Sequence, residues 1–143
     1  RTEVRIFVSC NSIREEIKME IHQSAEDYLE AILMIKERKG YVRSIDVANE
    51  LAVSKPSVSY ATKRLRENGY VEFNEDGMLT LTEAGAEIAS KTYQKHKLFS
   101  QFFQMIGVDA ETAQEDACKV EHDVSPKTFD AFCAFMKKQG YDI

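Results

Sequence analysis

The sequence predicts a mainly α-helical protein: an N-terminal winged helix-turn-helix followed by an all-helical second unit. Three observations carry that expectation. Apolar residues recur at helical spacing along most of the chain, from Tyr28 to Met136. Helix-start signals, a Ser, Thr or Asp followed closely by Pro or an acid, stand at Ser54-Lys-Pro56, Thr82-Glu83, Asp109-Ala-Glu111 and Ser125-Pro126. Two short runs, Tyr70-Val-Glu-Phe73 and Met78-Leu-Thr-Leu81, alternate like strands and are joined by the turn sequence Asn74-Glu-Asp-Gly77.

Taken in order, residues 1–18 hold a short apolar run, Val4-Arg-Ile-Phe-Val8, too short for a signal-peptide core and without a partner strand. They are read as an N-terminal extension, with Met19 as a natural start. Ser24-Ala-Glu26-Asp27 reads as an N-cap with acids in the first turn, and Tyr28, Leu29, Ile32, Leu33 and Ile35 carry a helix to Gly40. Asp27 and Glu30 stand three apart on one side of it; as residues alone they are ordinary dipole compensation and solvation. Tyr41-Val-Arg-Ser44 then leads into a short helix over Ile45, Val47, Ala48 and Leu51, with Ser44 as its candidate cap.

A turn at Ala52-Val53-Ser54 opens the third helix, Ser54-Lys55-Pro56-Ser57. Val58, Ala61 and Leu65 point inward, which leaves Ser57, Ser59, Tyr60, Lys63 and Arg64 on or near the outer side. Gly69 ends this helix and the hairpin follows. Helix, short helix, tight turn, Pro-started helix and hairpin is the order of a winged helix-turn-helix. The expectation is DNA binding, weighed against a winged helix kept only for protein contacts.

Thr82-Glu-Ala-Gly starts a long helix running to about Ile106, with Ile88, Tyr93, Leu98, Phe102 and Met105 apolar and His96 in its middle. Asp109 opens an acidic helix bearing Cys118, Glu121 and His122. Ser125-Pro126 begins the last helix, with Phe129, Phe132, Cys133 and Met136 on one stripe that either completes the core or forms a dimer face. The expected divisions are 1–18, an extension; 19–82, the winged helix-turn-helix; and 83–143, the second helical unit.

With 143 residues, 16.3 kDa and 43% hydrophobic residues, the chain can bury one core or one and a half. No run approaches the roughly 20 apolar residues of a membrane span. Three widely spaced cysteines, Cys10, Cys118 and Cys133, are no disulfide scaffold and point to a reducing cytoplasm. The formal net charge is −5, but it is unevenly spread. From Lys36 to Arg66 eight Lys or Arg face three acids, a local +5; from Gly107 to Ile143 eight acids face four lysines, a local −4. That asymmetry suggests one part facing phosphate and another facing cations, against ordinary solvated helix faces.

The stretch Cys118-Lys-Val-Glu-His122 is the strongest chemical signal. Side chains three and four apart share a helix face, so Cys118, Glu121 and His122 are expected to converge on one point as a transition-metal site. The competing reading is an amphipathic helix with a buried Cys and a surface Glu-His pair. No His-Glu-x-x-His, nucleophile elbow or Gly-rich phosphate loop is present, which disfavours a small metal hydrolase. A winged-helix regulator sensing an organic ligand is the other alternative.

Ser24-Ala-Glu-Asp-Tyr-Leu-Glu30, Gly40-Tyr-Val-Arg43, Asp46-Val-Ala48, Ser54-Lys-Pro-Ser-Val58, Leu79-Thr-Leu-Thr-Glu-Ala-Gly85 and Cys118-Lys-Val-Glu-His122 together resemble the diphtheria toxin repressor and manganese transport regulator family of iron- or manganese-dependent transcriptional repressors. The likeness runs from about Ser24 to Met136. It implies a two-domain form without the SH3-like third domain of longer members, in which the second helical unit binds metal and dimerises. It also implies Mn(II) or Fe(II) as the ion and Asp27, Glu30, His96, Cys118, Glu121 and His122 as the ligands. Asp27 matches the manganese branch, Cys118 the iron branch. Ser100 and Gln114 stand where the iron branch has ancillary ligands, which argues against a two-metal arrangement.

The implied partners are a double-stranded DNA operator and a second copy of the chain. The expected DNA-contacting set is Arg43, Ser44, Ser54, Lys55, Pro56, Ser57, Ser59, Tyr60, Lys63 and Arg64. Of these, Arg43, Lys63 and Arg64 would meet phosphates, while Ser57, Ser59 and Tyr60 lie near base edges. The ion is expected to pin the reading unit to the second unit.

Overall fold

The computed structural model describes residues 10–142, with side-chain surroundings from Ser24 onward. Helix α1 spans Cys10–Lys39. It therefore runs straight through Ser24, which is not an N-cap. The reason is local: no Gly or Pro interrupts 10–39, and Arg, Glu, Lys and Met, good helix formers, fill the stretch before Ser24. The apolar run Val4–Val8 lies outside the described residues.

Helices α2 (Ser44–Leu51) and α3 (Lys55–Glu67) follow, then strands β1 (Val71–Phe73) and β2 (Leu79–Leu81). Ser44 is the first residue of α2 and Arg43 its cap; the Asp46 carboxylate accepts from the Arg43 N–H at 2.9 Å. Between α2 and α3 the backbone turns through Ala52 at φ 53, and Ser54 caps α3 by accepting from the Ser57 N–H at 3.3 Å. The strands pair antiparallel, Val71 opposite Leu81 and Phe73 opposite Leu79. Asn74 Oδ1 accepts from the N–H groups of Asp76 and Met78, closing the turn with Gly77 at φ +74.

One core joins these elements: Leu29, Ile32 and Ile35 of α1, Val42, Val47 of α2, Val58 and Leu65 of α3, and Val71 and Leu79 of the hairpin. Each such side chain contributes roughly 1.5–3 kcal/mol when removed from water. Helix α4 (Glu83–Met105) is docked onto this unit at its first turn. Thr82 caps it by accepting from the Gly85 N–H and donates its own hydroxyl to the Gly69 carbonyl at 2.6 Å. A Cβ at Gly85 would sit on the Tyr70 carbonyl oxygen, so this close approach requires glycine.

Helix α4 also packs along α1 and along α5 (Ala110–Val120); α6 (Pro126–Lys138) closes the second unit. Leu98, Phe99, Ala113, Ala117 and Met136 are buried there. Phe132 stacks on Phe99 at 4.9 Å and meets Phe102 edge-on at 5.0 Å. The aromatic stripe thus completes a second, smaller core, while Met105, Ile106 and Phe135 stay exposed. Among the described residues no helix is long and apolar enough to cross a membrane.

Candidate metal centre and DNA-facing surface

Helix α5 ends at Val120, so Glu121 is its C-cap and His122 lies in the turn beyond, not on the helix. Glu121 keeps helical dihedrals, φ −57 and ψ −29, and its carboxylate is buried between α4 and α1. The three residues do not converge on one point. Cys118 Sγ lies 3.5 Å from His96 Nδ1, whereas His122 turns the other way, toward α1. Glu121 reaches both: Oε2 is 3.1 Å from His96 Nδ1 and Oε1 is 3.2 Å from His122 Nε2. The donors therefore form two groups, His96–Cys118–Glu121 and Asp27–Glu121–His122, each with its ligand atoms within 4.8 Å of one another.

From α1, Asp27 Oδ1 approaches His122 Nε2 to 2.6 Å. Glu30 is buried 3.9 Å from His96 Nδ1 and belongs to neither three-donor group. A residue not anticipated from sequence joins them: Glu26 Oε2 lies 2.8 Å from His122 Nδ1. In the neutral ring, Nδ1–H donating to Glu26 leaves the lone pair on Nε2, facing Asp27 and Glu121; with only carboxylates around it the ring instead holds a proton there. The only signal in the sequence was a third acid beside Asp27 in a stretch already explained as dipole compensation.

Burial is the largest influence on Glu30 and, with the Glu121 carboxylate beside it, pushes its carboxyl up to about 8. Contacts to Cys118 and then Glu121 raise His96 to about 10. Burial opposes charge on His122, but Asp27, Glu121 and Glu26 outweigh it and hold the imidazole up at about 12. Burial alone would raise Glu121; the imidazoles of His122 and His96 hold it below its ordinary value instead.

The cluster thus demands positive charge. Two of its buried atoms, Glu121 Oε1 and His122 Nε2, have no hydrogen-bond partner among the described residues. The 2.6 Å approach of Asp27 to His122 Nε2 is close but not aligned as a hydrogen bond. Metal–ligand bonds of about 2.1 Å put neighbouring donor atoms about 3 Å apart, the spacing these oxygens and nitrogen already have. Two unpartnered buried polar atoms, carboxylate and imidazole groups and that spacing fit a divalent transition-metal ion that would displace the ring proton.

The residues expected to meet DNA share the outer surface of α2 and α3. Arg43, Ser54, Lys55, Pro56, Ser57, Ser59, Lys63 and Arg64 are exposed, Ser44 is half-buried, and Tyr60 is 65% exposed. Arg64 donates to the Tyr60 hydroxyl at 3.3 Å, which holds both side chains along the helix. A cleft of about 440 Å3 opens beside them, lined by Ser24, Asp27, Val53, Ser57 and Tyr60. Asp27 thus borders both the metal cluster and the α3 surface.

Known proteins resemble this chain over both of its units. Residues 20–79 match the model of the iron dependent repressor N-terminal DNA binding domain. Residues 82–142 match that family's metal binding and dimerisation domain. An HTH-type transcriptional regulator of Methanocaldococcus jannaschii is 39% identical over 118 residues, covering 81% of this chain and 94% of its own. The transcriptional regulator MntR of Salmonella typhimurium is 34% identical over 128 residues, covering 90% and 80%. Among solved structures, the manganese regulator SloR superposes with a TM-score of 0.70 at 30% identity, covering 79% of this chain. This chain spans 53% of that one, about half its length. With both units matched in sequence and fold, the chain belongs to the iron-dependent repressor family.

Proposed function

We propose that the protein is a metal-dependent transcriptional repressor of metal-ion homeostasis genes, activated by Mn(II) or Fe(II). A DNA-reading unit, residues 19–82, is fixed against a metal-binding and dimerisation unit, residues 83–143, through Asp27, Glu30, His96, Cys118, Glu121 and His122. The family membership supports the class of function. The single observation that carries the mechanism is the meeting of Glu26 and Asp27 from α1 with Glu121 and His122 from the end of α5.

A bound divalent cation supplies charge to a cluster of facing carboxylates. The chain's own residues do the rest. Glu26 orients His122, Glu121 links the two donor groups, and Asp27 ties the cluster to the helix that carries the DNA-reading unit. Asp27 offers hard oxygen suited to Mn(II), whereas Cys118 offers sulfur suited to softer ions. To move a switch from mostly off to mostly on, ligation must favour the DNA-competent form by several kcal/mol. The chain pairs with a second copy, which sets two α3 helices into successive major grooves about 34 Å apart. The protein works on double-stranded DNA in the cytoplasm and has no catalytic role.

Fluorescence anisotropy on a duplex selected by the protein from a random pool, with Mn(II), Fe(II) or chelator, tests the switch. Tight binding only with metal is expected; equal affinity in all three conditions would refute it.

A further inference from the structure

The wing and the corner before α2 carry opposite charge. From Glu67 to Ser90 the chain has six acids and neither Lys nor Arg. Glu72, Glu75 and Asp76 of the hairpin are exposed, so its tip repels a phosphate backbone. The cations stand instead at the α1–α2 corner. Gly40, at φ +84, makes the turn, and Val42 anchors it: its side chain is fully buried and its carbonyl accepts from Leu79 N–H at 2.8 Å.

On that fixed loop Tyr41 is 40% exposed. Lys39 Nζ lies over its ring at 4.8 Å from the centroid, and the Arg43 guanidinium at 5.4 Å. Asp46 sets the pair, holding Lys39 Nζ at 2.7 Å and the Arg43 N–H at 2.9 Å. Lys36 donates to the Gly40 carbonyl at 2.7 Å. Three cations against Asp46 leave a net +2. Among the described residues the Arg43 guanidinium has no carboxylate within ion-pair distance. Cations stacked on an aromatic ring lose less side-chain freedom when they meet an anion. The first helix of a helix-turn-helix crosses the DNA backbone, and this corner is where that helix begins.

We propose that the Tyr41 platform, with Lys39 and Arg43 stacked on it, is a preorganised grip on the DNA phosphate backbone beside Lys63 and Arg64 of α3, and that the acidic wing takes no part in holding the duplex. Tyr41 acts as a positioning residue: it presents the two cations and reads no base. The assignment rests on the DNA-binding function proposed above.

The test titrates the Mn(II)-loaded full chain into two duplexes, one of mixed sequence and one selected by the wild type, across a salt series. Tyr41→Ala is expected to weaken both by the same factor, about tenfold, and to flatten the salt slope by about 1 for each grip lost. Arg43→Gln, at an exposed side chain, should do the same. Tyr41→Phe keeps the ring and should match wild type, and Glu75→Gln/Asp76→Asn should bind as tightly or more so. The grip is overturned if Tyr41→Ala and Arg43→Gln leave affinity and slope unchanged, if Tyr41→Phe loses as much as Tyr41→Ala, if the loss is confined to the selected duplex, or if the wing variant weakens binding. Wild type that binds neither duplex, with Mn(II) or with chelator, overturns the DNA-binding function itself. Wild type that binds beside an unaffected Tyr41→Ala overturns the grip alone.

Discussion

Glu26 offers the sharpest test of how the cluster works, because it holds the imidazole of His122 without itself belonging to either three-donor group. The Glu26–His122 bond is 2.8 Å long and joins residues 96 apart in sequence; the His122 side chain is 3% exposed and that of Glu26 33%. A partner that fixes the ring and tautomer of a ligating histidine typically sustains 10–100-fold of metal affinity. Water can reach the partly exposed carboxylate and replace some of that, so the lower end applies to Glu26→Ala: about tenfold, or about 1.4 kcal/mol. Glu26→Gln keeps an acceptor but loses the charge, and should fall between Ala and wild type.

Competition of Mn(II) against a fluorescent chelator measures the affinity directly. Anisotropy against Mn(II) concentration should shift its midpoint by the same factor, while the plateau DNA affinity at saturating metal stays at the wild-type value. A Glu26→Ala protein with an unshifted midpoint would show that His122 needs no partner. A lowered plateau would show that Glu26 acts on DNA and not on the metal.

Other outcomes follow from the same geometry. Glu121→Ala removes the one residue common to both donor groups and should abolish metal-stimulated DNA binding, with the helical circular dichroism retained; stimulation that survived would remove Glu121 from the switch. Mn(II) at about 100 times its dissociation constant should add about 2.7 kcal/mol of stability, read as a melting temperature several degrees above that in chelator. A winged helix sensing an organic ligand would melt identically in both. Gly85→Ala forces a methyl group against the Tyr70 carbonyl oxygen and should cost about 3 kcal/mol or more in denaturant titrations, far beyond the loss from the same change at an open surface. Ser54→Ala removes the cap of α3 and should cost about 1 kcal/mol by the same measurement.

Much of the fold was legible along the chain because its signals are local. Ser54, Thr82, Asp109 and Ser125 each cap the helix they announce, since a side-chain oxygen two or three residues from a free N–H needs no tertiary context. The hairpin follows from alternation and Asn74-Glu-Asp-Gly77 for the same reason. The start of α1 lies upstream of Ser24 because a Ser followed by acids makes a good cap only when the preceding residues are not already helical.

The candidate metal cluster divides along the same line. Spacing in the sequence determined that Cys118, Glu121 and His122 are neighbours around the end of one helix. It could not determine which outside partner each would meet. Only the packing of α1 and α5 against α4 decided that Cys118 faces His96, that His122 faces Glu26 and Asp27, and that Glu121 stands between them. A helical period fixes the direction of a side chain about its own axis, whereas the distance between two helices is set by the apolar side chains buried between them.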